Sequence, residues 1–180
     1  MRIKQLNGTY VPVEDRLIFR FNTDQGDEFV FLFTRAITRR VLNTLGTMTT
    51  RNLARQHTEE VAQVVQEFEK EALAKTTDYS SQYAPGQKFP MGQAPALVVD
   101  IKTPPAPDEI LALDLELANR LTANLKLTRE LAQNISILLE KLAGGAGWDL
   151  GTAAAQPATG GKTAEETAPS LITGKKPLIH

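Results

Sequence analysis

The stretch LIFRFNTDQGDEFVFLFTRAITRRVLNTL, residues 17–45, decides the fold, because a second stretch repeats its pattern. Residues 111–139, LALDLELANRLTANLKLTRELAQNISILL, align with it without a gap at an offset of 94 residues. Few residues are identical, but the apolar positions coincide. In the two hairpins, Leu17, Phe19, Phe21, Phe31 and Phe33 align with Leu111, Leu113, Leu115, Leu125 and Leu127. We interpret the match as an internal structural repeat.

Within each copy the spacing of the apolar residues changes from two to between three and four. Residues 17–21 and 29–33 alternate as two strands, and Gly26 can adopt the positive φ of the turn between them. Thr34 then precedes an apolar stripe of helical spacing, so it is a suitable N-cap. Thr128 has the same place in the second copy. Each copy is therefore predicted to be a β-hairpin followed by a helix.

The chain between the copies predicts a helix and a loop. Gly46 ends the first helix, and residues 50–75 carry apolar residues at helical intervals on one side, including Val61, Val64 and Phe68. Residues 76–95, TTDYSSQYAPGQKFPMGQAP, contain several prolines and glycines and predict a long connection.

A hairpin and one helix are too small to be stable alone, so the two copies are expected to share one core. We therefore predict an α+β domain over residues 1–150. Its β-hairpin-plus-helix modules, 1–46 and 96–145, are expected in a pseudo-twofold arrangement, joined by helix 50–75 and loop 76–95. Trp148, the only tryptophan, is expected to close the core at the domain edge, and the alternative is an anchor for a protein contact.

From residue 151 the composition shifts to Gly, Ala, Thr and Pro. Such a segment buries too little apolar surface to fold alone, so residues 151–180 are predicted to form a flexible tail. Near its end, four aliphatic residues can serve as an arm that docks into a neighbouring subunit: Leu171, Ile172, Leu178 and Ile179. The alternative is a chain end without a role.

The overall composition narrows the classes of function. The chain has 180 residues and a formal net charge of −1, so no global field attracts nucleic acid or an anionic membrane. The absence of cysteine excludes disulfides and thiolate metal sites. No apolar run approaches a membrane span, and the first residues, MRIKQLNGTY, lack the apolar stretch of a signal peptide. We therefore expect a cytoplasmic protein, or a virion component if a phage encodes it.

No motif indicates an enzyme. His57 has no second histidine or cysteine nearby, so a zinc site is unsupported. Asp114 and Glu116 are two apart and can in principle act as paired carboxylates, but on an alternating strand such residues usually form the solvent face. Gly144, Gly145 and Gly147 lack the strand before them and the Lys-Ser/Thr ending of a phosphate loop. We expect no catalytic residue, no metal and no cofactor.

A basic stretch stands out in the charge pattern. Between Phe29 and Thr58 there is no acidic residue, but there are five arginines: Arg35, Arg39, Arg40, Arg51 and Arg55. Such a face can bind the phosphates of nucleic acid. Against this, the nearby aromatic residues lie on the predicted core face. The acidic residues of 59–78 can also pair with the arginines instead.

The segment RLIFRFNTDQGDEFVFLFTRAITRRVL, followed by QEFEKEALAKTTDYSSQYAP, resembles a family of small uncharacterised bacterial proteins. In that family a strand, a turn and a second strand lead into a Leu/Phe-Thr-Arg-Arg helix start. Here Ala36 follows Thr34-Arg35, so the doubled arginine is missing. The resemblance covers roughly residues 1–150 and implies the domain described above. It implies no activity and no site residue.

Three functions remain as hypotheses. The first is a non-enzymatic structural or adaptor protein that self-associates or docks on a larger assembly, such as a phage virion. The second is a nucleic-acid- or phosphate-binding module that uses the five arginines. The third is a sensor that binds a small molecule between the two modules.

Overall fold

A computed structural model describes residues 2–55, 58–76, 82–107 and 109–151 of the chain. Three strands and two helices come first in the chain, and three strands and one helix follow them. The strands are β1 (Ile3–Val11), β2 (Arg16–Thr23), β3 (Glu28–Thr34), β4 (Ala96–Lys102), β5 (Leu111–Leu117) and β6 (Thr122–Leu127). The helices are α1 (Arg35–Leu53), α2 (Glu59–Thr76) and α3 (Arg129–Gly145).

All six strands form one mixed sheet whose spatial order follows the sequence, from β1 to β6. Neighbouring strands are antiparallel except β3 and β4, which are parallel, with Phe31 opposite Ala96 and Leu32 opposite Leu97. A parallel pair requires a crossover, which α1 and α2 supply. The sheet and its helices confirm the predicted α+β class.

The two hairpins have the same register at the 94-residue offset. Leu17 pairs with Phe33 in the first hairpin, and Leu111 pairs with Leu127 in the second. The helix caps also agree. The hydroxyl of Thr34 accepts from Ile37 N and that of Thr128 from Leu131 N. The φ and ψ angles are −76° and 163° at Thr34, and −74° and 162° at Thr128. The local structure of the copies therefore matches, and their pseudo-twofold arrangement stays a prediction.

The core lies between one face of the sheet and the helices α1 and α3. Phe19, Phe21, Phe31 and Phe33 are at most 1% exposed, and the rings of Phe21 and Phe29 stack at 4.9 Å. Leucines fill the equivalent places in the second hairpin. Burying one such side chain stabilises the fold by about 1.5–3 kcal/mol. Burial of the apolar side chains that alternate along the strands thus supplies most of the driving force for folding.

The predicted start of the helix over residues 50–75 was wrong, because α1 does not end at Gly46, whereas the predicted end agrees with Thr76 to within one residue. Helix α1 continues to Leu53, and α2 begins at Glu59. The buried face of α1 continues past the glycine to the end of the helix, since Leu45, Thr49 and Leu53, one turn apart, are all buried. A helix tolerates one glycine when tertiary packing on both sides of it offsets the cost of about 1 kcal/mol.

Candidate protein-interaction site

Helix α2 presents apolar residues to solvent. Val61, Val64 and Phe68 are 46%, 67% and 73% exposed, and their spacing places them on one face of the helix. We call these three residues the α2 stripe. On the opposite side Ala62 is fully buried. The sequence shows that these residues share one side of the helix, but it does not show that this side faces solvent.

Polar contacts fix which face of α2 points inward. Glu69 accepts hydrogen bonds from Arg129 at 3.1 Å and from Gln133 at 3.0 Å, both on α3. Lys70 pairs with Glu140 of α3 at 2.6 Å. Rotating α2 to bury its stripe would break all these contacts. The exposure of the α2 stripe is therefore a consequence of how the helix is anchored.

A groove separates the two outer strands of the sheet. It has a volume of about 670 Å³, and Arg2 and Ile3 line one side while Asn124, Leu125 and Lys126 line the other. We call it the β1–β6 groove. In the part of the chain that the structure describes, β1 pairs only with β2 and β6 only with β5. Both strands therefore expose an unpaired edge near the groove.

A buried carboxylate holds the connection between α2 and β4 against the first hairpin. Glu28 is 2% exposed, and it accepts hydrogen bonds from Tyr83 Oη at 2.8 Å and from Gly86 N at 2.8 Å. We call residues 82–88 the strap. Burial raises the pKa of Tyr83, and its hydrogen bond to Glu28 adds to the rise, so the phenol stays a donor. This network holds the strap in place, since the buried carboxylate and its donors satisfy one another's hydrogen bonds.

A second polar cluster ties the two chain ends of the domain together. The carboxylate of Asp15 accepts hydrogen bonds from Trp148 Nε1 at 2.7 Å and Tyr10 Oη at 2.9 Å. The guanidinium of Arg35 pairs with it at 2.9 Å and lies 5.3 Å from the centre of the indole ring. Trp148 is only 5% exposed, which confirms the expectation that it closes the core.

The Asp15 cluster is expected to make stability depend on pH. Hydrogen bonds from Trp148 and Tyr10, together with Arg35, lower the pKa of Asp15 from its ordinary value. A carboxyl with a lowered folded-state pKa stabilises the fold above its unfolded-state pKa of about 3.9, and this contribution is lost as the pH falls through the folded value. Unfolding in urea at pH 7 and pH 3 should therefore show a smaller loss of stability in Asp15→Asn than in the natural chain.

Asparagine is the appropriate replacement, because Asp15 has a φ of 48° and asparagine tolerates the left-handed region. Glu71→Gln is the comparison, since the pKa of Glu71 is also lowered, but by an exposed Lys75 within the same helix. Such a pair contributes little to stability, so this variant should lose nearly as much stability as the natural chain. An equal loss of stability in Asp15→Asn and in the natural chain would contradict the expectation.

The structure does not gather the five arginines into one surface. Arg35 pairs with Asp15, and Arg40 pairs with Asp100 at 2.6 Å. Arg51 and Arg55 line a different cavity of about 360 Å³, beside the prolines that follow β4. Arg39 is exposed on α1. The acids that neutralise Arg35 and Arg40 thus lie outside residues 59–78.

Some predicted residues lie outside the described part of the chain. These are His57 and the arm residues Leu171, Ile172, Leu178 and Ile179. Within the described residues, no group of three or more His, Asp or Glu side chains is placed to hold a metal ion. Likewise, none of the three helices combines the length and apolar character needed to cross a membrane.

Comparisons with protein-family profiles, with curated proteins and with solved structures find no match to this chain.

Proposed function

We propose that this protein is a non-enzymatic structural or adaptor protein that self-associates, or docks on a larger assembly such as a phage particle. The observation that supports this proposal is the α2 stripe. Contiguous apolar residues that a helix is held to expose commonly mark a protein-protein contact. Phe68 lies near the middle of α2 and is the most exposed residue of the stripe, at 73%. Aromatic residues of this kind often dominate the energy of an interface.

The charges along α2 favour a second copy of the chain as the occupant. Glu60 lies at the start of the stripe and Lys75 beyond its end, on the same side of the helix as Val64 and Phe68. If two α2 helices pair antiparallel about a twofold axis, Phe68 of each copy lies near the axis. Glu60 of one copy then faces Lys75 of the other. A twofold contact of this kind is self-complementary and closed.

The test is the mass of the protein in solution, measured by size-exclusion chromatography with light scattering over a range of concentrations. We expect a dimer, or a larger closed assembly, for the natural chain. Phe68→Asp should weaken association by at least about 30-fold, because truncating a central aromatic residue commonly costs 2 kcal/mol or more. Val13→Asp is the control, since Val13 is 97% exposed and belongs to the β1–β2 turn, outside α2.

A charge exchange tests the antiparallel geometry. Glu60→Lys and Lys75→Glu should each weaken association, and the double variant should restore it, because the two helices then carry the reversed pair. A natural chain that stays monomeric at all concentrations would refute self-association. If Phe68→Asp leaves the mass unchanged, copies associate by another surface.

A further inference from the structure

The β1–β6 groove is the open counterpart of the β3–β4 junction. In that junction Phe31 pairs with Ala96, and Leu32 pairs with Leu97. Adding 94 to Phe31 and Leu32 gives Leu125 and Lys126, and subtracting 94 from Ala96 and Leu97 gives Arg2 and Ile3. All four of these equivalent residues line the groove. One junction between the two modules is therefore closed by strand pairing. The other is a groove of about 670 Å³.

At the closed junction an extended segment, the strap, also pairs with the chain at the start of β3. Lys88 O accepts a hydrogen bond from Glu28 N at 2.7 Å. Gln87 N and Lys88 N both donate to Gly26 O, at 2.9 and 3.1 Å. Asp27 and Lys88 form a parallel bridge. The strap thus pairs with the start of β3, and β4 pairs with the same strand further along, at Phe31 and Leu32. No described residue covers the start of β6 in this way.

The edge of β6 has backbone groups directed towards such a segment. Leu117 N donates to Leu121 O at 2.9 Å in the β5–β6 turn. From there, alternate residues of an antiparallel strand direct their N–H and C=O groups to the paired side. The groups of Thr122, Asn124 and Lys126 consequently point away from β5. Thr122 is the equivalent of Glu28, whose N–H binds the strap.

We propose that this groove binds the chain's own C-terminal segment, residues 171–179, as an extended strand parallel to β6. Unpaired strand edges bind extended segments through their backbone groups and use side-chain pockets for specificity. Residues 174–179, GKKPLI, share the first-position glycine and the third-position lysine of residues 86–91, GQKFPM, which are the end of the strap and its continuation. The proline comes fourth in the first segment and fifth, after Phe89, in the second.

The distance between the described chain and the groove permits this binding. Trp148 contacts Tyr10 near the end of β1, with ring centres 5.8 Å apart, whereas the groove lies at Ile3 near its start. These two points of β1 are about 23 Å apart. Residues 152–170 can span up to roughly 60 Å, so they reach the groove without tension. Attachment to the same chain also raises the local concentration of the segment.

The first test is amide hydrogen exchange at Thr122, Asn124 and Lys126 in the full chain. The segment should slow exchange at these amides by about tenfold, which corresponds to an occupancy near nine-tenths. The double variant Leu178→Asp with Ile179→Asp should abolish the protection. The matched control, Thr163→Asp with Thr167→Asp, adds the same charge outside the segment and should retain it. Equal exchange in the natural chain and in the Leu178/Ile179 variant would overturn the proposal.

The second test identifies whose segment is bound. Because the chain has no cysteine, Asn124→Cys combined with Ile179→Cys creates a single thiol pair. Oxidation should give a monomer that migrates faster than its reduced form on a denaturing gel. A crosslinked dimer would overturn binding within one chain and assign the segment to a second copy. Asn43→Cys with Ile179→Cys, which places the first thiol on the exposed side of α1, should give neither product.

This inference does not depend on the α2 stripe. Phe68→Asp should leave the protection of Thr122, Asn124 and Lys126 unchanged even where it abolishes self-association. Conversely, the Leu178/Ile179 variant should associate as the natural chain does.

Discussion

Replacing Phe31 with alanine is expected to lower the free energy of unfolding by about 3–5 kcal/mol. The side chain is completely buried at the centre of the sheet, between Phe19 of β2 and the β4 strand, and close to the ring of Phe29. Its removal loses apolar burial and leaves a cavity that a rigid sheet cannot close. Urea unfolding followed by circular dichroism would measure the change.

Phe68→Ala is the control for this prediction, because the same chemical change occurs at a residue that is 73% exposed. We expect the free energy of unfolding of the monomer to change by no more than about 0.5 kcal/mol. Measurements at low protein concentration keep association from contributing. Similar losses in Phe31→Ala and Phe68→Ala would contradict the assignment of the phenylalanine face to the core.

Replacing Gly86 with alanine is expected to destabilise the protein by about 1–3 kcal/mol, which is the usual cost of forcing additional atoms into a packed site. A Cβ at this position would lie 2.7 Å from Gly26 O and 2.8 Å from the carbonyl carbon of Asp27. These are backbone atoms and cannot rotate away. The strap must therefore move off the hairpin, which weakens the hydrogen bond from Gly86 N to Glu28.

Urea unfolding measures the loss, and amide exchange at Glu28 shows whether the strap has separated, since Glu28 N donates to Lys88 O. Gly46→Ala is the control, because a Cβ there meets no atom within 4 Å and lies inside α1. That substitution should stabilise the protein by up to about 1 kcal/mol. A Gly86→Ala variant as stable as the natural chain would mean that the strap is not held tightly.

Local patterns in the sequence predict much of this fold. The alternating residues 17–21 and 111–117 locate strands, and the threonine before each apolar stripe locates a helix start. Thr34 and Thr128 are observed as caps with nearly the same angles. These features depend on residues close together in the chain, where spacing and capping chemistry decide the structure.

Features that depend on distant residues were less predictable. The boundary between α1 and α2 depends on whether residues after Gly46 find a buried site, and no local pattern reports that. The parallel contact of Phe31 with Ala96 joins residues far apart in sequence. The outward direction of Phe68 depends on Glu69 meeting Arg129 and Gln133. A helical period shows that an apolar face exists, but only its polar neighbours decide where that face points.

The hydrogen bond between Trp148 and Asp15 joins residues 133 positions apart. During synthesis on the ribosome, β1, β2, β3 and α1 emerge long before the indole that closes them. Contacts of such large sequence separation form late, because the chain between them must first be ordered. Since Trp148 is the only tryptophan, its fluorescence would report the final closure of the domain. The earlier collapse of the phenylalanine hairpin would not change the tryptophan fluorescence.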